Sequence, residues 1–188
     1  TEAGSGDASE ALTSGAGGWL LITNDDADND LDFLQLKGEA FKYVSTKNMF
    51  FKARFKVSDA TQSDFVMGLG ITDTSPLDTT DGLFFIKADG AATMDFLIEK
   101  DNSATTNSSV ATVSDDTFLT ASFHYNPTGG SSGGGAFEIF IDDSKVATET
   151  TLTNAPDDEE LTISFGIQNG AAAAKTMTID YIFAAVER

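Results

Sequence analysis

Chemistry at a protein surface needs side chains that exchange protons, attack or hold ions. This sequence groups few of them usefully. It contains no Cys and one His, His124, which excludes a thiol nucleophile, a cysteine-held metal and a disulfide framework. Hydrolysis by paired carboxylates needs two acids on one face, a few ångströms apart. The nine Glu are Glu2, Glu10, Glu39, Glu99, Glu138, Glu149, Glu159, Glu160 and Glu187. Only Glu159 and Glu160 are close in sequence, and adjacent residues of a strand point to opposite faces. Following Pro156-Asp157-Asp158, they read as a solvated turn. His124 falls on the polar phase of its segment beside Thr120 and Ser122, and no Ser sits in a G-x-S-x-G elbow. It reads as a surface or interface histidine rather than a general base.

Two charge patterns stand out. Asn24–Asp32 (NDDADNDLD) places Asp26, Asp28, Asp30 and Asp32 at alternate positions, an oxygen-rich run that could serve Ca²⁺. Neither EF-hand register complies: counting from Asp26 puts Leu31 and Lys37 at positions six and twelve, and counting from Asp28 puts Phe33 and Glu39 there. A solvated acidic loop is the plain alternative. Lys52, Arg54 and Lys56 share one face of a strand pattern. They suit either cross-strand pairing with carboxylates or a docking face for an acidic partner or a sister subunit.

These residues must be positioned by strands. Phe51, Ala53, Phe55 and Val57 alternate with Lys52, Arg54 and Lys56, and the two-residue period returns in Leu119–Tyr125, Phe137–Ile141, Ile163–Ile167 and Met177–Tyr181. In the last of these, Met177, Ile179 and Tyr181 are expected on one face. Turn clusters of Gly, Asn, Asp and Pro separate the runs, and Gly129–Gly135 (GGSSGGG) reads as a hairpin tip. The pattern predicts an all-β antiparallel sandwich over residues 19–188, with Phe51, Phe55, Phe123, Phe137, Ile139, Phe165 and Ile179 in its core. Residues 1–18 show neither period and read as a flexible or partner-docked arm, in which Leu12 is the one large apolar residue available for a contact. At 188 residues one domain is expected. A net charge of −19 makes nucleic acid and anionic membrane poor partners.

The run Phe118–Val146 (FLTASFHYNPTGGSSGGGAFEIFIDDSKV) resembles a signature hairpin of concanavalin A-like, laminin-G-type jelly rolls, with Phe118 where that fold usually has Trp and Asp142-Asp143 where it usually has Asp-Gly. Phe51–Leu77, Leu161–Gly170 and Thr176–Arg188 are similar to segments of jelly-roll structural proteins that tailed bacteriophages carry on their capsids. The resemblance implies a non-enzymatic capsid decoration or cement protein on the outer surface of a virion. Its partners would be the major capsid protein and its own copies, as a symmetric oligomer, expected to be a trimer. The glucanases sharing this fold would require E-x-D-x-E or E-x-D-x-x-E, which this sequence lacks. The rival expectation is a carbohydrate-binding module or lectin, or a tail-fibre adhesin domain. Its candidates are Trp19, Tyr43 and Tyr125 as exposed aromatics, and Asp26–Asp32 as a Ca²⁺ loop.

Overall fold

The computed structural model describes residues 8–131 and 133–188, together with the backbone of residues 2–3. Its strands are β1 Glu2–Ala3, β2 Ser9–Thr13, β3 Trp19–Thr23, β4 Leu31–Gln35, β5 Phe41–Lys42, β6 Met49–Val57, β7 Ser63–Gly70, β8 Gly82–Lys87, β9 Thr93–Lys100, β10 Ser103–Thr112, β11 Leu119–Asn126, β12 Ala136–Ile141, β13 Ser144–Glu149, β14 Glu160–Asn169 and β15 Thr176–Val186. They form two antiparallel sheets. One has eight strands in the order β1-β4-β14-β7-β8-β9-β10, with β5 on β14; the other has seven, β13-β12-β11-β6-β15-β3-β2. This is the all-β sandwich that the alternation predicts.

The inner faces meet in one core, which contains all seven residues expected there: Phe51, Phe55, Phe123, Phe137, Ile139, Phe165 and Ile179. Phenylalanine suits this position because it brings a large apolar area and no polar atom that would need a partner. Tyr43 and Tyr125, expected as exposed candidates for sugar contact, are instead buried. Their rings stand edge to face at 4.8 Å, and the Tyr125 hydroxyl donates to the Ser45 carbonyl. Burial pushes the Tyr43 phenol well above its ordinary pKa. The Gly129–Gly135 segment joins β11 to β12 as a hairpin, and Gly135 has φ +89° where any side chain would strike the Tyr125 ring.

Three features depart from the alternation. First, Ser9–Thr13 is an edge strand on β3, with Leu12 opposite Leu20, where the sequence reading gave 1–18 no structure. An edge strand can be held by its backbone ladder without a buried face, and Leu12 is 86% exposed. Second, the register of β15 against β6 slips: Ile179 faces Phe55, whereas Tyr181 faces Arg54. Asp180 is thus the extra residue of a β-bulge, and beyond it the faces exchange. Ile182, Ala184 and Val186 pack on the core, while Tyr181 and Phe183 point outward. The expectation that Tyr181 shares a face with Ile179 is therefore corrected. Third, the outer face of the eight-stranded sheet carries its own small core of Leu31, Phe33, Val66 and Phe84, with Leu77 of the short 3-10 helix Pro76–Asp78 folded against it.

One ion pair ties the sheets' ends. Asp59 Oδ1 accepts from the backbone N–H groups of Thr61 and Gln62, and Oδ2 accepts from Lys175 Nζ at 2.8 Å. Lys175 and the turn amides draw the Asp59 carboxyl down from 3.8 to about 2. A group whose folded pKa is depressed contributes stability above its unfolded pKa and loses it as the pH falls through the folded value.

Two predictions follow from these positions. Phe123→Ala and Ile182→Ala should each cost roughly 2–5 kcal/mol in urea unfolding, whereas Phe183→Ala should stay within about 1 kcal/mol of the parent. A large loss at Phe183 with none at Ile182 would remove the bulge from the description. Asp59→Asn should cost roughly 1.5–3 kcal/mol at neutral pH. The difference between variant and parent should then narrow as the pH is lowered from 3.8 towards 2, the window set by the Asp59 shift.

Candidate functional site

The outer face of the seven-stranded sheet is where polar and aromatic side chains meet solvent. Register places them in rows across β12, β11, β6 and β15. One row is Glu138, His124, Phe50 and Ala185; the next is Phe140, Ser122, Lys52 and Phe183; in the third, Thr120, Arg54 and Tyr181 cross β11, β6 and β15. With strands about 4.8 Å apart, Phe140 and Phe183 stand roughly 14 Å from each other, with Ser122 and Lys52 as the floor between them. The result is a hollow of about 370 Å³ lined by Phe50, Lys52, Ser122, His124, Phe140, Asp143 and Phe183. Phe183 is 53% exposed and Phe50 39%, an unusual provision of apolar rings on an otherwise polar surface.

His124 and Phe50 lie ring on ring, their centroids 4.3 Å apart and 6° from parallel. Hydrogen bonding fixes the imidazole. Asn48 Nδ2 donates to Glu187 Oε2 at 2.8 Å, which turns Asn48 Oδ1 towards His124 Nε2 at 2.9 Å. An amide oxygen only accepts, so Nε2 carries the hydrogen. Nδ1 faces Glu138 Oε2 at 3.5 Å, and Glu138 also accepts from Lys145 at 3.1 Å.

The basic row Lys52, Arg54 and Lys56 is paired within the chain. Lys52 donates to Asp143 at 2.6 Å, Arg54 pairs with Asp180 of the bulge, and Lys56 reaches Asp116 at 3.2 Å. The Asp143 partner raises the Lys52 pKa. Arg54 also sits over the Phe118 ring, 4.1 Å from its centroid, and Phe118 packs edge-on against Trp19 at 4.9 Å. Trp19 is thus committed to an aromatic and cationic cluster at the far end of the same face. Leu12 lies apart from all of these on edge strand β2.

The acidic loop does not gather its carboxylates. Asp26 and Asp28 are exposed, while Asp30 and Asp32 are buried. Asp30 Oδ2 accepts from the Ala27 N–H. Asn24 Nδ2 donates to the Asp30 and Ile167 carbonyls, and Asn169 Nδ2 donates to those of Asp25 and Ala27. Carbonyls that could have joined an ion's shell are thus taken by two amides. Among the described residues no three His, Cys, Asp or Glu converge to hold a metal ion. Glu159 and Glu160 are exposed, the latter 3.6 Å from Lys42.

Sequence reasoning placed Lys52 and His124 on the wet face but missed the hollow, because Phe50 and Phe140 lie out of phase with their neighbours' pattern, and Phe183 lies in phase with Met177 and Ile179 until the bulge turns it outward. A signal was present: the apolar residues Ile179 and Ile182 are three apart, which breaks a period of two.

No family model and no curated protein matches the sequence. Solved structures do resemble the fold. The potassium-bound carbohydrate recognition domain of Emp46p matches with a TM-score of 0.63 at 13% identity, covering 95% of this chain and 87% of that one. SCLam, a non-specific endo-β-1,3(4)-glucanase of family GH16, matches with 0.61 at 12%, covering 90% and 72%. The endo-β-1,4-glucuronan lyase of the fungus Trichoderma reesei matches with 0.59 at 12%, covering 99% and 89%. At these identities the likeness shows the fold, and the chain is a concanavalin A-like jelly-roll sandwich.

Proposed function

We propose that this chain is a non-catalytic carbohydrate-binding domain that takes a sugar in the hollow between Phe140 and Phe183. The observation that carries this reading is the bulge at Asp180. It turns Tyr181 and Phe183 out of the core and sets Phe183 across Lys52 from Ser122 and Phe140. Sugar rings present apolar C–H faces and polar edges, so a site for them combines aromatic walls with a few oriented hydrogen-bonding groups. Here the walls are Phe50, Phe140 and Phe183, and the polar groups are Ser122, Lys52 and Asp143. The carbohydrate recognition domain and the glucanase among the similar folds support the same class of ligand.

Binding without cleavage is favoured by the acids. Among the described residues lining the hollow, Asp143 is the single carboxylate, whereas glycoside hydrolysis by the usual route uses two across the scissile bond. A docking role of the kind expected for a capsid subunit draws on one observation, the exposed Leu12 on edge strand β2. It is weakened at the basic row, where each cation already holds a carboxylate of this chain.

A glycan array followed by calorimetry on the best neutral binder tests the proposal. Phe183→Ala should lower affinity at least roughly tenfold, about 1.4 kcal/mol, and no reducing sugar should be released. Absence of binding across the array, or an unchanged affinity in Phe183→Ala, would refute it. Capture of coat protein from stripped virions, lost on deleting residues 1–18, would support the capsid role instead.

A further inference from the structure

The hollow between Phe140 and Phe183 has a neighbour. A second one, also about 370 Å³, lies on the other flank of the Phe50–His124 pair and is lined by Asn48, Phe50, His124, Ala185, Val186 and Glu187. The two share Phe50 and His124, so the stacked rings form a ridge between them. Both hollows have the same two parts, an aromatic flank and one carboxylate held in place by this chain's own donors. In the first, Asp143 Oδ1 accepts from Lys52 Nζ at 2.6 Å. In the second, Glu187 Oε2 accepts from Asn48 twice, from the backbone N–H at 3.0 Å and from Nδ2 at 2.8 Å.

Those donors fix the direction of each carboxylate. They also hold the Glu187 carboxyl below the usual carboxylate range, so it is ionised at neutral pH. An ionised carboxylate accepts only, and the oxygen left outside the internal bond, Oδ2 of Asp143 or Oε1 of Glu187, is an acceptor for a hydroxyl. A ring-bearing ligand with hydroxyls on both sides is the complement of this repeated arrangement.

We infer that the two hollows are consecutive stations for one neutral oligosaccharide lying across the Phe50–His124 ridge, one of its hydroxyls donating to Asp143 and another to Glu187. The inference rests on the sugar-binding reading above and extends it to chain length and charge. Asn48 and Lys52 are four residues apart along the strand direction, about 14 Å, which is too far for a single sugar ring to touch both. Neutrality follows from the acceptors: both stations offer carboxylates, and a chain of net charge −19 repels polyanions.

Calorimetry on the full chain, with glucose and β-linked gluco-oligosaccharides from the disaccharide to the hexasaccharide, tests this. Affinity should rise at least roughly tenfold between disaccharide and tetrasaccharide, and Glu187→Ala should abolish that rise. Binding that is independent of length, or a rise that persists in Glu187→Ala, overturns the two-station arrangement. Oligoglucuronates binding more tightly than neutral oligomers of equal length overturn the charge assignment. If no oligosaccharide of any length or charge binds, the sugar-binding reading itself fails, and this inference with it.

Discussion

A strand has two faces and no third direction for its side chains, so one extra residue exchanges every position that follows it. Asp180 is that residue in β15. Before it, Met177 and Ile179 fill the core; after it, Ile182, Ala184 and Val186 do, and Tyr181 and Phe183 are delivered to solvent. The side chain of the bulged residue stays paired within the sheet. Asp180 pairs with Arg54 on β6, and Arg54 lies on the Phe118 ring at 4.1 Å. In an unbulged strand Asp180 would itself lie opposite Arg54; in the bulge Tyr181 takes that place and Asp180 keeps the ion pair. The core's closure and the hollow's aromatic wall both depend on this register.

Charge is arranged so that a chain of −19 folds without many bare cations to recruit acidic partners. Lys42, Lys52, Arg54, Lys56, Lys100, Lys145 and Lys175 each hold a carboxylate of the same chain. Apart from the Lys175–Asp59 pair, whose lysine is buried, exposed pairs of this kind add little stability, but those of β6 keep its basic row from acting as an open anionic dock. Lys87 is the contrary case: buried, it donates to the Ala88 and Ala91 carbonyls and so closes the β8–β9 turn. Burial pushes its pKa down. Its function is geometric rather than electrostatic recruitment.

The two-residue period made the sandwich legible, because Phe51 to Val57 and Leu119 to Tyr125 each bury every second residue without interruption. What could not be read were features that periodicity does not encode. Ser9–Thr13 has an almost wholly exposed burial pattern, so only its backbone partner β3 reveals it as a strand. Tyr43 and Tyr125, exposed candidates under the carbohydrate-binding expectation, are buried in the core, Tyr125 on the apolar phase of its strand and with its hydroxyl satisfied by Ser45. The Asp26–Asp32 alternation suggested convergence on an ion; Asp32 is instead within β4, and of the three in the loop before it Asp26 and Asp28 are exposed while Asp30 is buried. The hollow needed four strands in register to exist, and Phe50, Phe140 and Phe183 come from three of them.

The two outer faces of the sandwich have opposite solutions to the same problem. On the eight-stranded sheet, Gly166 leaves room for the Phe33 ring, Gly82 for that of Phe84 and Gly68 for the Phe84 backbone and Cβ, and Leu77 packs against these side chains. A Cβ at any of those glycines would meet the ring or its backbone, so the small residues there are a packing requirement of a face closed by the chain itself. On the seven-stranded sheet Ser122 and Lys52 lie between Phe140 and Phe183 in one row, so these two rings stand three strand spacings apart. Apolar rings that far apart cannot cover one another. They retain exposed surface whose burial is left to something outside the chain, and that difference, more than the presence of aromatics, is why the seven-stranded face is the one read as a binding surface.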